Sequence, residues 1–394
     1  MPDVCTIWGL FPNRPTYNTM ANSTFVKKRL LWRLTVLLSL GGILSIWASN
    51  IDFASPPLTP QRPAPPAPVE REKDRASQIL HGALLSTERV FFSGEQTILT
   101  FNEDDGVACV TEETHLGPNR FRIAYQNPPN VRGRLQIAEA GWFHHYLPNT
   151  NTLIKRRMPS TSLTEAEVAS RLARIRQNYR LVLAARPENM AERPAYLLDI
   201  LPRTQGRPRQ KLWIDTRTGL VLRRETYSPA GAQTSVTSWR NLKFYASPAE
   251  EALHWTPPPG TRTEEEAGTQ ALSLVETRAK AASWAVIPDK LGGDFSFESA
   301  RFVNARGAQG LDCTYSDGLC TLSLIQLAGT QSFRTASGTI KPLPLASYSV
   351  ENAQITTQGS VNVLSWSSPQ GNATLSLLGE LTEETLIGLA KSLP

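Results

Sequence analysis

The sequence has few of the residues from which disulfide scaffolds and metal centres are built. Its 394 residues include four cysteines and five histidines. Disulfide scaffolds are short and cysteine-dense, so this chain must be held together by hydrophobic cores. His144 and His145 are adjacent in a predicted strand, where neighbouring side chains point to opposite faces and cannot chelate one ion together. The sequence therefore predicts no metal and no cofactor.

Catalytic motifs are also absent. The sequence has no Gly-x-Ser-x-Gly, no His-Glu-x-x-His and no phosphate-binding Gly-Lys motif. The acidic runs at 104–105 and 264–266 are typical of a solvated turn and a linker rather than of paired catalytic acids. We therefore predict a protein that is not an enzyme and has no catalytic residues.

The chain has only a small excess of positive charge. Forty-one lysines and arginines against 35 acidic residues give a net charge of +6. A nucleic-acid site needs a dense basic patch with interleaved aromatic residues. The arginines here are scattered along predicted strands and one helix, so we expect no nucleic-acid partner.

One apolar run lies near the N-terminus. Basic residues at 27–29 precede the run Leu34–Ala48, which is about 15 residues long and shorter than the ~20 of a spanning helix. Counted from Leu30, with Arg33 reaching toward the interface, the run is long enough. It is either a cleaved signal peptide or a retained membrane anchor, and the large side chains of Ile46 and Trp47 at the cleavage position favour the anchor. Both alternatives place the rest of the chain outside the cytoplasm.

Composition divides the chain into segments and two folded units. Ser55–Pro68 is rich in proline and alanine, which predicts an extended spacer. The expected parts are a cytoplasmic or unstructured N-terminus at 1–29, the signal peptide or anchor at 30–48, a proline-rich linker at 49–70, a first unit at 71–258, a second linker at 259–280 and a second unit at 281–394.

The first unit is predicted to combine short strands with one clear helix. Ser162 and Glu165 have the spacing of a capping box. An apolar stripe at helical spacing follows, made of Val168, Leu172, Ile175 and Tyr179. Short apolar runs separated by turn residues precede and follow this helix, which predicts antiparallel strands. The fold class is therefore α+β.

A meander near the middle of the chain supplies the candidate pocket residues. Leu212 and Ile214 share one face of a predicted strand, and Leu220 and Leu222 share a face of the next strand. A tight hairpin over Asp215–Gly219 joins the two strands. An antiparallel sheet with an apolar side needs a cover, so these four side chains either line a pocket or form ordinary packed core.

Two cysteines of the second unit are candidates for a disulfide. Cys313 and Cys320 lie on the two arms of a predicted hairpin. A tight loop centred between Ser316 and Asp317 would bring them within disulfide reach, and such a pair would oxidise outside the cytoplasm. A one-residue change of register would point them to different faces and leave two free thiols.

Four stretches of the sequence, taken in order, carry a family resemblance. They are Asn178–Leu181 leading to Arg193–Tyr196, then Pro202–Arg203 with Lys211–Asp215 and Thr218–Leu220, then Tyr315–Leu319 with Ser323, and finally Leu378–Leu381 with Leu389–Ser392. In this order they resemble the MucB/RseB family of envelope regulators. The second stretch departs from the family pattern at Gly206–Gln210.

The resemblance implies a fold. Its members have an antiparallel LolA-like half-barrel with helices plugging the concave face, followed by a smaller α+β domain. The half-barrel would span 71–258 and the smaller domain 281–394. A pocket between sheet and helices would take acyl chains or a hydrophobic segment, with Leu212, Ile214, Leu220 and Leu222 as its expected lining.

The resemblance also implies a function. The expected protein is a non-enzymatic sensor or regulator that binds the extracytoplasmic domain of an anti-sigma factor and the acyl chains of lipid or lipopolysaccharide. We expect it in the periplasm or another extracytoplasmic space, held at the inner membrane by its N-terminal segment. The alternatives are a lipid or lipoprotein carrier of the envelope, an unrecognised hydrolase, and a structural envelope protein without a cavity.

Overall fold

The structure is a computed structural model that describes nine ranges of the chain, and the predicted anchor at 30–48 lies outside them. Within these ranges, no helix is long and apolar enough to cross a membrane. The described ranges are 68–101, 106–158, 163–248, 250–266, 271–305, 307–329, 353–358, 360–368 and 371–393.

Within the described ranges, the secondary structure includes two sheets and four α-helices. The helices are α1 (Pro68–Arg89), α2 (Glu165–Asn178), α3 (Leu274–Lys280) and α4 (Glu383–Lys391). The strands of the first sheet are β1 (Phe91–Phe101), β2 (Gly106–Leu116), β3 (Phe121–Asn127), β4 (Leu135–Glu139), β5 (Trp142–Leu147), β6 (Thr152–Arg157), β7 (Tyr179–Leu183), β8 (Glu188–Met190), β9 (Arg193–Pro202), β10 (Arg209–Asp215), β11 (Val221–Tyr227), β12 (Gln233–Tyr245) and β13 (Arg262–Glu266). Those of the second sheet are β14 (Lys290–Leu291), β15 (Phe295–Ala305), β16 (Ala308–Ser316), β17 (Thr321–Ala328), β18 (Gln354–Gln358), β19 (Val361–Ser367) and β20 (Ala373–Gly379).

The first sheet is a long curled meander. Its order is β13-β6-β5-β4-β3-β2-β1-β12-β11-β10-β9-β7, with β8 paired to β9. The pairs within it are antiparallel, except that β13 runs parallel to β6. Strands β2 to β6 therefore follow one another on one side of β1, and β12, β11, β10, β9 and β7 lie on its other side. This half-barrel with its helices confirms the predicted α+β fold class.

Helices α1 and α2 cover part of this sheet. Ala76 and Leu80 of α1 and Ile175 of α2 pack in one buried cluster with Leu198 and Leu212 of the sheet. Burying such aliphatic side chains contributes roughly 1.5–3 kcal/mol each, which is the main force holding the helices in place. The helices therefore cover the face that the meander pattern left apolar.

The predicted central helix is confirmed, and it begins close to the predicted position. Its N-cap is Thr164, whose side chain accepts a bond from the Glu167 amide while the Glu167 carboxylate accepts one from the Thr164 amide. The capping box is therefore two residues later than the predicted pair, of which Ser162 lies outside the described residues. Tyr179, the last residue of the predicted stripe, caps the helix in extended conformation and opens β7.

The predicted hairpin after β10 is also present. Asp215 Oδ1 accepts bonds from the amides of Arg217, at 2.9 Å, and Thr218, at 2.8 Å. Gly219 has a φ of +74°, and a Cβ there would lie 3.3 Å from the Gly82 carbonyl oxygen of α1. A glycine thus serves both the left-handed turn and the close approach of helix and sheet.

The second sheet is antiparallel and has its own core. Its order is β14-β15-β16-β17-β20-β19-β18. Phe295, Tyr315, Leu324 and Trp366 are buried in one cluster with Leu386 of α4. Helix α4 begins at the predicted N-cap Thr382, whose side chain accepts the Thr385 amide.

The stretch predicted as a second linker contains regular structure. Strand β13 adds a parallel edge to the first sheet, with all five of its residues exposed. Helix α3 follows, and Ser273 and Glu276 form its capping box.

Candidate functional site: a polar junction between the two sheets

The β16–β17 hairpin carries a buried aspartate at its turn. Asp317 has no exposed surface. Its Oδ1 accepts bonds from the amides of Leu319, at 3.0 Å, and Cys320, at 2.8 Å. Gly318 supplies the positive φ of +100°. The turn is therefore closed by a carboxylate that still has a second oxygen available.

That second oxygen is bound by the first sheet. Asp317 Oδ2 accepts a bond of 2.8 Å from the Tyr179 hydroxyl and one of 3.0 Å from Arg207 Nη1. Arg207 Nη2 donates to Asp294 Oδ2 at 2.6 Å, and its guanidinium lies 5.1 Å from the centre of the Phe295 ring. One buried arginine thus joins two carboxylates of the second sheet to the β9–β10 connection of the first.

Helix α2 makes further contacts with the same turn. The Asn178 side chain donates to the Asp317 carbonyl oxygen at 3.0 Å, and Arg171 Nε donates to the Gly318 carbonyl oxygen at 3.0 Å. A Cβ at Gly318 would lie 2.8 Å from the Ile175 amide nitrogen. Only a glycine lets the turn approach the helix backbone this closely.

A second backbone contact lies at Gly206. Its carbonyl oxygen accepts a bond from the Thr382 amide at 3.2 Å, at the start of α4. A Cβ at Gly206 would lie 2.1 Å from the Thr385 hydroxyl oxygen. The segment Gly206–Gln210, which departs from the family pattern, therefore contains Arg207 and contacts the N-terminus of α4.

Burial dominates the electrostatics of the junction. It raises the pKa of Asp317 above its usual value, against the opposing effect of its hydrogen bonds and of Arg207. It also raises the pKa of Tyr179 well above the usual value, with the charge of Asp317 as the next cause. Tyr179 therefore keeps its proton and acts as a donor. The network is satisfied, which is the condition under which buried polar groups fix one arrangement.

A small cavity adjoins the junction. It has about 30 Å³ of internal space, and its lining residues are Pro208, Gln210, Thr226, Ser235, Leu319, Cys320, Thr321 and Glu380. Roughly 10–15 Å³ of such space is enough for one water, so this cavity has room for a water or a group of a few atoms and is too small for an acyl chain. Burial raises the pKa of Glu380, opposed by the Ser360 hydroxyl, which donates to it at 2.6 Å.

The four predicted pocket residues do not form one group. Leu212 and Ile214 pack in the cluster beneath α1 and α2. Leu220 and Leu222 belong to a second cluster with Trp213 of β10 and Trp239 of β12. All four are at most 5% exposed. In this structure they are packed core of two clusters, and the lining of an acyl pocket by these residues stays a prediction.

The predicted disulfide is not formed, which corrects the expected hairpin register. Cys313 and Cys320 are both free and buried. Cys313 lies opposite Leu324, while Cys320 lies in the turn itself. The bonds from the Leu319 and Cys320 amides to Asp317 centre the turn two residues later than the sequence predicted. The two thiols therefore cannot face each other across the hairpin.

The junction and the adjoining cavity bring together residues from three of the four family-like stretches. Tyr179, Asp317 and Glu380 come from three of them, and Pro202–Arg203 leads to the turn that carries Arg207. Sequence reasoning missed Arg207 and Asp294 as site residues. No local signal marked them, because their importance arises from partners about 90–110 positions away.

Throughout the described ranges, no cluster of three or more His, Cys, Asp or Glu side chains has an arrangement that could hold a metal.

The curled sheet, its covering helices and the second sheet define a two-part α+β protein of the half-barrel class. Residues 136–250 match the family model of the MucB/RseB N-terminal domain. No curated protein matches the chain. This match confirms the predicted resemblance to the MucB/RseB family over these residues.

Solved structures extend the similarity in fold beyond this domain. The chain is similar to a chain of the Pseudomonas aeruginosa MucA/MucB complex, with 17% identity and a TM-score of 0.55 over 81% of this chain and 98% of that chain. It is similar to MucB in complex with MucA(peri), with 17% identity and a TM-score of 0.54 over the same shares. Similarity at this identity establishes the fold of both sheets.

Proposed function

We propose that the chain is a non-enzymatic extracytoplasmic regulator that binds the extracytoplasmic domain of an anti-sigma factor. One observation carries the proposal. The MucB/RseB domain match is embedded in a fold similarity that covers 98% of a chain from a MucA/MucB complex. The shared architecture therefore includes the second sheet as well as the half-barrel.

The junction gives this proposal a structural basis. Residues 71–258 and 281–394 are proposed as the two units, and the Arg207–Asp317 contact holds them in one relative position. A partner that contacts both units would meet a prearranged surface, which reduces the entropy lost on binding.

The proposal includes binding of an acyl chain or a hydrophobic segment in the half-barrel. The apolar cluster beneath α1 and α2 supports it, because Leu212 and Ile214 of the sheet meet apolar side chains of both helices there. A ligand would enter only if the helices moved away from the sheet. The alternative is a lipid or lipoprotein carrier that uses the same cluster, and an unrecognised hydrolase is a weaker one.

The proposed location is the periplasm or another extracytoplasmic space. The basic residues and apolar run of 27–48 support export, and retention of this run would anchor the protein in the inner membrane.

The proposal is tested by titrating the full chain, in mild detergent, with the purified extracytoplasmic domain of the host's anti-sigma factor in a calorimeter. We expect a saturable complex with a dissociation constant of micromolar or tighter, about −8 kcal/mol. Absence of a complex up to high micromolar concentration would refute the regulator. Native mass spectrometry of the protein from its host envelope, with solvent extraction, tests the lipid part separately.

A further inference from the structure

The first sheet ends at a strand whose outer edge has no neighbouring strand among the described residues. Strand β7 is last in the sheet order and pairs with β9. The Ala184 amide donates to the Leu197 carbonyl oxygen at 2.9 Å, which makes these two residues a hydrogen-bonded pair. Bonded and non-bonded pairs alternate along antiparallel strands. Leu181 and Leu183 therefore occupy non-bonded positions, and their backbone N–H and C=O groups point away from β9.

Three exposed arginines lie beside this edge and form the β7 arginine patch, which consists of Arg176, Arg180 and Arg203. Arg180 lies opposite Leu201 of β9, and Arg203 follows Leu201 by two residues, so Arg180 and Arg203 are on the same face of the sheet. This face is opposite to the one that packs beneath the helices, because Leu181 belongs to the covered cluster. Arg203 Nε donates to the Arg176 carbonyl oxygen at 3.3 Å, which places the end of α2 beside the patch.

No ion pair neutralises the β7 arginine patch within the described ranges. Asp199 lies on the same face, opposite Val182 of β7. The ion pair of Asp199 is with Arg209, at 3.3 Å. Burial raises the pKa of Asp199, and Arg180 is the last of the three cations whose charges oppose this rise. The patch therefore keeps an excess of positive charge at the surface.

Val182 adds an apolar surface to the same edge. Its side chain is 41% exposed and lies on the face that carries Arg180. Unpaired backbone N–H and C=O groups beside an exposed apolar side chain are a template for the addition of another strand. Positive charges at such an edge repel a basic chain and attract an acidic one. The edge is therefore suited to an extended acidic segment.

We propose that the β7 edge binds an extended acidic segment of a partner polypeptide, which adds a strand to the first sheet. The backbone of this segment bonds the outward N–H and C=O groups of Leu181 and Leu183. Its acidic side chains lie on the face of Arg180 and Arg203. An anionic membrane surface would match the charge of the patch but not the outward backbone groups, which require the alternating donors and acceptors of an extended chain.

This surface deepens the proposed function and rests on it in one respect, because the partner proposed there is also a polypeptide. A synthetic peptide replaces that partner in the test, so the edge and the regulator can fail separately. If the anti-sigma factor domain binds the chain and the peptide does not, the regulator stands and the β7 edge is refuted.

The test measures binding of a labelled peptide of alternating glutamate and valine, about ten residues long, to the full chain in non-ionic detergent by fluorescence anisotropy. Reversing the charge of Arg180 turns an attraction into a repulsion at an exposed site, so we expect Arg180→Glu to weaken binding about threefold to tenfold. Binding should also weaken as salt is added, because exposed charges are screened. The same peptide with lysine in place of glutamate should not bind.

The matched control is Arg217→Glu, which should bind the peptide within about twofold of the wild type. Arg217 is also exposed, but it lies in the turn after β10, at the end of β9 and β10 remote from Arg203. If Arg180→Glu does not fold, Arg180→Gln removes the attraction alone and should weaken binding about twofold.

Hydrogen exchange tests strand addition itself. We expect the Leu181 and Leu183 amides to exchange more slowly when the glutamate peptide is bound, because they gain partners only if the peptide pairs with β7. Unchanged exchange at both amides, wild-type affinity in Arg180→Glu, or equal binding of the lysine peptide would overturn the proposal. Co-sedimentation with phosphatidylglycerol vesicles in the absence of peptide binding would assign the patch to a membrane surface and would likewise overturn it.

Discussion

Arg207 and Asp317 form the central contact of the molecule. Arg207 Nη1 donates to Asp317 Oδ2 at 3.0 Å, although 110 positions separate the two residues in the sequence. Arg207 is 7% exposed and Asp317 is fully buried. The contact joins the β9–β10 connection of the half-barrel to a turn of the second sheet, so loss of Arg207 leaves the buried Asp317 without its cation.

Replacing Arg207 should therefore destabilise the whole protein. We expect Arg207→Met to lower the free energy of unfolding by about 3–5 kcal/mol, because Asp317 remains buried without its cation. Urea unfolding followed by circular dichroism measures this loss. Arg209→Met is the control, since its pair with Asp199 is more exposed and should contribute about 1 kcal/mol or less. Equal losses in the two variants would contradict the assigned role of Arg207.

Gly318 should tolerate no side chain. In Gly318→Ala the Cβ would meet the Ile175 amide nitrogen at 2.8 Å and the Arg171 carbonyl oxygen at 2.9 Å. Since these are backbone atoms, the turn or α2 must move, and we expect a loss of about 3 kcal/mol from overpacking and backbone strain together. Gly371→Ala separates the two effects, because Gly371 also has a positive φ but nothing within 4 Å. The control should lose about 1–2 kcal/mol in the same unfolding measurement.

Glu380 should make the stability of the protein depend on pH. Burial raises its pKa in the folded state above the value of 4.5 expected when unfolded. An acid with a raised folded pKa favours folding when protonated, so this contribution is present below the unfolded pKa and is lost as pH rises through the folded pKa. Wild type should thus lose stability relative to Glu380→Gln as pH rises above the unfolded pKa, until the pH has passed the folded pKa.

Urea unfolding of both proteins at a series of pH values measures this difference. The exposed Glu384→Gln of α4 is the control for removing a carboxylate near the same end of the chain. A difference between wild type and Glu380→Gln that does not change with pH would contradict the prediction.

Cys313 and Cys320 should behave as protected thiols. Burial raises the pKa of Cys313 to about 12 and that of Cys320 well above its usual value, so neither is a thiolate near neutral pH. We expect neither to react with Ellman's reagent in the native protein and both to react after denaturation. Mass spectrometry of peptides from alkylated protein identifies the two positions. A peptide containing a Cys313–Cys320 disulfide would contradict the register of the β16–β17 hairpin.

The sequence by itself determined the features that depend on neighbours along the chain. Helical spacing identified α2, alternation and turn residues identified the β10–β11 hairpin, and Asp215 and Gly219 were visible as its turn. The order of four short stretches was enough to indicate the resemblance to the MucB/RseB family.

The tertiary structure alone decided which of these pieces meet. In the structure, Leu212 and Ile214 lie in one hydrophobic cluster, and Leu220 and Leu222 lie in another. Hydrophobic periodicity predicts that a residue is buried, but it does not predict which cluster the residue joins. It set the β16–β17 register through the carboxylate of Asp317, which moved Cys320 into the turn. Long-range polar pairs have no periodicity, so the junction at Asp317 could be recognised only once the chain was folded.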